Sequence, residues 1–331
     1  MTHILWWLQS CSLHTILLIF FFLRADARIT LTNCDDVREW TAAGELIAYG
    51  DYKSKMNQAV DNMIDMAEYA QEVMRKLNQD NQPYSFDNIR ATLMFAALQG
   101  GAPNHALGSS RWNSYYEKIE VLANLDSSRS GETKIVCGEK HLVRWDILRD
   151  GSRTRAPTKE EKDAAVGFRY YDHILRKWWN MNKSVCAATS ELDAEVVYDR
   201  YILFCKYGLD APRATIGNRD RQVDWGLSRY DGDRVQYLEF WARALSFVCL
   251  HEVIHLVFDW DDEKLDRPVE DKYSGEVLTL AYGYYGSTAL LNQKPLASSR
   301  NVDSLATFIL ALYMVACVWE TGMAESLDDM C

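Results

Sequence analysis

The sequence predicts a helix-rich α+β fold, and three observations carry that expectation. Between Asp51 and Leu77 the apolar residues Met56, Ala59, Val60, Met63, Ala67, Ala70, Met74 and Leu77 recur at intervals of three and four, the period of an amphipathic helix. Runs of β-forming residues at Lys134 to Val136 and at Glu195 to Phe204 read as strands. From Val235 to Trp260 a second amphipathic pattern passes through Leu238, Trp241, Leu245, Val248, Ile254 and Phe258, and it encloses the pentapeptide His251-Glu252-Val253-Ile254-His255.

The remaining elements follow in chain order. Residues 1–27 combine an apolar run, Ile16 to Leu23, with an Ala25-Asp26-Ala27 end, the pattern of a secretory signal peptide, so the mature chain is expected to start at Arg28. Residues 28–331 are expected to form one domain, with a helical part over 28–190 and a core carrying the site over 191–331. A helix is expected from Ser85 to Leu98, stopped by Gly100-Gly101-Ala102-Pro103. Ala164 to Asn180 reads as a helix, Pro212 to Asp233 as loop, Asp259 to Lys272 as an acidic loop, and Ser304 to Val318 as a closing apolar helix. The methionines of the first helix read as core filling.

Charge and cysteine use narrow the setting. The net charge is −11, and it stays there when Arg24 and Asp26 leave with the leader. That balance argues against nucleic acid or an anionic membrane as partner and favours a soluble protein; nothing in it fixes the oligomeric state. With Cys11 in the leader, Cys34, Cys137, Cys186, Cys205, Cys249, Cys317 and Cys331 remain, enough for up to three disulfides and one free thiol, for which Cys249 is the candidate. Asn182-Lys183-Ser184 is a glycosylation sequon. No CxxC pair is present, which argues against a cysteine zinc finger.

The pentapeptide carries the chemistry. On a helix, an HExxH spacing puts the two imidazoles one turn apart on one face, where each can give a ring nitrogen to one Zn²⁺ while the glutamate next to the first histidine reaches a water at the metal. His251 and His255 are therefore candidate ligands and Glu252 the candidate general base. A catalytic zinc needs a third protein ligand. His105, His141 and His173 all precede the motif in unrelated segments, and no HExxHxxGxxH extension is present. The third ligand should be a downstream carboxylate, from among Asp259, Asp261, Asp262, Asp266, Glu270, Asp271 and Glu276.

Beyond HEVIH come Ala281-Tyr282-Gly283 and then Asn301-Val302-Asp303-Ser304-Leu305-Ala306, leading to Ala311-Leu312-Tyr313 and Cys317; upstream stands Tyr201-Ile202-Leu203-Phe204-Cys205. In this order and spacing, from about Val196 to Cys317, the chain resembles the aspzincins, the deuterolysins and lysine-specific metalloendopeptidases secreted by fungi. The resemblance implies a zincin-like fold, with a twisted, mostly antiparallel sheet whose edge strand pairs with extended peptide above the HExxH helix. It implies one zinc ion per chain, and a role for the Tyr282 hydroxyl at the substrate carbonyl, where packing is the alternative. Asp303 matches an acidic residue near the primed-side pocket, or else is the N-cap of the last helix. The family's G-T-x-D is missing, and on a gapless fit its aspartate falls at Thr279. We therefore place the third ligand at Asp271, flanked by tyrosine and glycine as in the family loop, with Glu276 as the rival and Glu270 behind it. Ala306 stands where the lysine-specific branch has an acid, which argues against strict lysine specificity.

The function expected is that of a secreted zinc endopeptidase. The alternative is a secreted binding or effector protein of the same fold with weak or no turnover.

Overall fold

The computed structural model describes residues 29–40, 45–80, 86–125, 133–147, 153–154, 167–174, 176–179, 195–198, 201–210, 230–231, 234–235, 237–315 and 318–323. The expected leader, the sequon at Asn182, most of the 212–233 loop and Cys186, Cys317 and Cys331 lie outside them.

Strand β1 (Thr30–Thr32) leads into a hairpin, β2 (Val37–Trp40) and β3 (Leu46–Gly50), and then into helices α1 (Lys53–Asp80), α2 (Phe86–Gln99) and α3 (Ser110–Ala123). Next come β4 (Lys134–Cys137), β5 (Leu142–Ile147), β6 (Arg153–Thr154), β7 (Gly167–Asp172), β8 (Lys177–Trp179), β9 (Glu195–Tyr198) and β10 (Tyr201–Phe204). A short helix α4 (Lys206–Asp210) and a small ribbon, β11 (Tyr230–Asp231) with β12 (Arg234–Val235), follow. The chain then forms α5 (Leu238–Ala242), α6 (Leu245–Phe258), the hairpin β13 (Lys264–Glu270) and β14 (Val277–Leu280), α7 (Gly283–Gln293) and α8 (Val302–Tyr313). The α+β expectation holds.

The sheet against α6 has the order β1-β4-β10-β9, with β1, β4 and β10 parallel and only the edge strand β9 antiparallel. The expected mostly antiparallel character therefore fits the other sheets but not this one. Its strands are distant in sequence, and α1 to α3 supply the crossover that a parallel β1–β4 pair requires. The second sheet, β6-β5-β7-β8, is antiparallel throughout. It overturns the helix expected over 164–180, because the aromatic residues there find cross-strand partners: Trp178 packs edge-on against Trp145 and Tyr171.

A continuous apolar core runs from Ile29 to Trp319. Every apolar residue of the stripe expected on α1 is buried, the methionines among them, and α1 and α8 flank α6. Phe95, Trp112, Tyr115 and Phe308 pack edge-on and join α2 and α3 to α8. Helix α8 is buried along its whole length, so its last carbonyls need internal donors. The buried Arg90 guanidinium supplies them, donating to Ala311 O at 3.1 Å and Leu312 O at 2.7 Å. Cys34 and Cys137 form a disulfide that ties the end of β1 to β4, Cys205 is also disulfide-bonded, and Cys249 is a buried thiol.

Three further boundaries differ from the sequence reading. The expected Val235–Trp260 helix is two helices, broken at Arg243-Ala244, where Ala244 is extended (φ −64°, ψ 140°) with neither glycine nor proline to announce it. The expected acidic loop after α6 contains β13, whose Leu265 and Val269 face inward against Leu278, Ala281 and Leu290 while its polar residues face water. The last helix ends at Tyr313 rather than Val318.

Between the two sheets, the Tyr201 hydroxyl donates to Asp172 Oδ2 at 2.7 Å and pairs with His141 Nε2 at 3.0 Å, all three side chains being buried. Burial pushes the His141 pKa down to about 4 against the opposing pull of Asp172. The folded value lies below the unfolded one, so the unfolded chain takes up the proton first as pH falls. Stability is therefore lost between about pH 6.5 and 4, by on the order of 3 kcal/mol. Urea midpoints of the wild type and His141→Gln across that interval check this, the variant showing the shallower decline.

Candidate metal centre

Helix α6 is short of polar groups except on the face that carries His251, Glu252 and His255, each only partly buried, while Cys249, Leu250, Val253 and Ile254 anchor the opposite side in the core. The helix ends at Asp259, which adopts the left-handed conformation (φ 54°, ψ 46°) and returns its N–H to His255 O. Such a C-terminal hook reverses the chain at once. Trp260 then packs on Phe258, with rings 5.3 Å apart, beneath the Lys118 ammonium. Two residues later Asp262 faces both histidines.

The resulting cluster is tight. His251 Nε2 and His255 Nε2 are 3.0 Å apart, and Asp262 Oδ2 lies 3.7 Å from the first and 3.3 Å from the second. Ligands about 2.0 to 2.1 Å from a tetrahedral centre lie about 3.3 Å from one another, so the three atoms are spaced as zinc ligands are. His251, His255 and Asp262 are the group that can hold a metal ion among the described residues.

The other ring nitrogens decide what the cluster requires. His255 Nδ1 meets the Trp260 carbonyl at 2.5 Å, and a carbonyl only accepts, so Nδ1 carries the proton. His251 Nδ1 lies 3.1 Å from Asp303 Oδ1, and a carboxylate likewise demands a donor. With both protons on Nδ1, neutral imidazoles present two Nε2 lone pairs to each other and to a carboxylate. That arrangement is repulsive unless positive charge sits among them, and a metal ion held there would find its ligands' outer hydrogen bonds already made. The surrounding carboxylates draw positive charge to the same place: burial pushes the His251 pKa down, but Asp303, Asp262 and Glu252 together raise it well above the ordinary value, so that a proton and a metal ion would compete for Nε2. Burial raises the Asp262 carboxyl, and the two histidines outweigh that and lower it. Asp262 Oδ1 is buried without a hydrogen-bond partner.

Around this centre, Glu252 Oε1 lies 3.9 Å from His251 Nε2. Tyr282 is 40% exposed, with its ring 6.1 Å from that of His251, and burial and the nearby Asp262 carboxylate keep its phenol protonated. Tyr282 is thus neither a core packing residue nor distant from the histidines. Asp303 is not the N-cap of α8: that place is held by Asn301, and the Asp303 carboxylate serves His251.

The structure does not bring Asp271, the expected third ligand, to the histidines. Asp271 lies in the β13–β14 turn, where its two carboxylate oxygens accept from Tyr273 N and Ser274 Oγ, both at 2.8 Å. Glu270 and Glu276 are exposed on either side of that turn, Asp259 forms the hook, Asp261 is exposed, and Asp266 pairs with Lys294. The structure brings Asp262 to the histidines instead. The sequence reading included Asp262 among its candidates but had no sign of the left-handed residue that folds it back; the Trp260 carbonyl and the Asn301 amide escaped it altogether. A scan against models of protein families, a search of curated proteins and a search of solved structures each return no match.

Proposed function

We propose that this chain is a secreted, zinc-dependent endopeptidase of zincin-like fold, with one zinc ion held by His251, His255 and Asp262. The observation that carries the reading is the pair of fixed Nδ1–H tautomers, which leaves two imidazole lone pairs and a carboxylate converging beside Glu252. Two nitrogens and one oxygen suit zinc, and an aspartate as third ligand agrees with the resemblance to the aspzincins, although here it follows directly behind α6. The Cys34–Cys137 disulfide supports an oxidising, extracellular setting. No helix among the described residues is long and apolar enough to cross a membrane.

Zinc bound by these three residues would supply Lewis acidity, lowering the pKa of a water toward about 7 and polarising the scissile carbonyl. The chain's own groups do the rest. Glu252 takes the proton from the attacking water and delivers it to the leaving amine. The Tyr282 phenol, protonated and partly exposed beside His251, donates to the oxygen on which negative charge develops. Asp303 and the Trp260 carbonyl hold the imidazoles in the binding tautomer.

Metal analysis tests the reading. One zinc per chain, removed by a chelator together with casein hydrolysis and restored with it, is the expected result; purified protein that stays metal-free in zinc buffer overturns it and favours a non-catalytic binding module. Tyr282→Phe is expected to retain zinc and KM and to lower kcat by about 100-fold or somewhat more, the usual cost of one oxyanion donor. A kcat within twofold of the wild type would remove Tyr282 from the mechanism.

A further inference from the structure

We infer that Asn301 is a positioning residue that sets the third ligand, the phenol and the His251 partner in one register, a role that rests on the zinc-peptidase reading above. Its side chain is fully buried and engaged on every side. Oδ1 accepts from Glu263 N at 3.3 Å, the residue directly after Asp262. Nδ2 donates to Ala281 O at 3.2 Å, the residue directly before Tyr282, and to Ser304 Oγ at 3.1 Å and Ser287 Oγ at 3.4 Å. Asn301 itself stands two residues before Asp303. One amide thus touches the chain next to each of the three groups that complete the centre begun by α6.

The orientation of that amide is forced. Reversed, it would set a donor against the Glu263 N–H and an acceptor against the Ala281 carbonyl. The same two segments are joined a second time, by Ala281 N donating to Glu263 O at 2.8 Å. Helix α7 closes on them from the other side: a Cβ on Gly286 would meet the Ala281 carbonyl carbon at 2.7 Å, so Gly286 permits the approach that brings Ser287 to Asn301.

The position also shows what Asn301 forgoes. It is the N-cap residue of α8, where an asparagine ordinarily accepts from the second or third N–H of its own helix. Its side chain makes no such bond. The oxygen that would cap α8 is directed to the Asp262 segment instead, which is the behaviour of a residue retained for the site rather than for the helix.

Asn301→Ala in the full-length protein is expected to weaken zinc binding by about 10 to 100-fold, as loss of an outer partner does. It should also shift the visible spectrum of the Co²⁺-substituted protein. The control is Leu305→Ala on the same helix, whose side chain is apolar, buried in the core and unable to hydrogen-bond the amide. At an equal or larger loss of Tm, that variant should leave affinity and spectrum unchanged. Wild-type zinc affinity and an unaltered cobalt spectrum in Asn301→Ala overturn the inference, as does an equal change in both variants.

Should Asn301→Ala not fold, Asn301→Asp decides the matter. It keeps the acceptor for Glu263 but sets an oxygen against the Ala281 carbonyl, so the Asp262 side is held while the Tyr282 side loosens. Zinc affinity near that of the wild type with kcat lowered by up to about 100-fold at unchanged KM supports the role; an unchanged kcat overturns it. If the wild type itself binds no zinc, the reading beneath falls, whereas a zinc-loaded wild type with indifferent variants removes only the inference about Asn301.

Discussion

Glu252→Gln is expected to bind zinc as the wild type does and to lose about 10²- to 10⁴-fold in kcat, the range a positioned general base contributes. The amide matches the carboxylate in size but cannot accept the proton of the attacking water, and no alternative base is in place among the described residues. Asp262 faces both histidines as the proposed third ligand, and Asp303 is buried with its oxygen on His251 Nδ1. Removing one negative charge from a crowd of three carboxylates does not threaten the fold, so the loss should appear without a lower Tm. Zinc stoichiometry, thermal denaturation and hydrolysis of a quenched fluorescent peptide, measured on one preparation, check all three statements. A zinc-loaded Glu252→Gln that cleaves peptide at the wild-type rate would sink the mechanism.

What could be read from the chain alone follows from how local each signal is. The α1 stripe and the HEVIH face are written in residues three and four apart, so periodicity revealed both. The buried face of β10 was equally plain, because four consecutive β-formers have one common fate in a core sheet. The strands β7 and β8 were hidden because their aromatic residues owe their conformation to partners on β5, more than twenty residues earlier. The break at Ala244 had no punctuation at all. At the proposed site, the two histidines and Glu252 were legible, and the groups that orient the imidazoles were not. A carbonyl such as that of Trp260 has no identity in a sequence, and Asn301 looks like an ordinary helix cap until the chain segments it joins are seen together.

The third ligand shows this most sharply, and its substitution should have the second of the two largest effects. Asp262→Ala removes one of the three proposed ligands, so the loss in zinc affinity should exceed the roughly 100-fold upper end typical of outer-shell partners. Activity should fall with it at any zinc concentration that does not saturate the weakened site. Asp271→Ala, the change the sequence reading would have chosen, should leave affinity within a few-fold of the wild type. Its carboxylate closes the β13–β14 turn on Tyr273 N and Ser274 Oγ, so its removal costs hairpin stability, about 1 kcal/mol for each lost bond, and not metal. Competition with a chromogenic chelator measures both constants, and urea denaturation of the metal-free proteins separates stability from binding. The contrast rests on one backbone torsion: Asp259 in the left-handed region turns the chain back on α6, so that an aspartate seven residues past His255 meets Nε2 at 3.3 Å. Were Asp271→Ala to lose the metal and Asp262→Ala to keep it, that hook would not exist in solution, and the tautomer fixed by the Trp260 carbonyl would lose its basis as well.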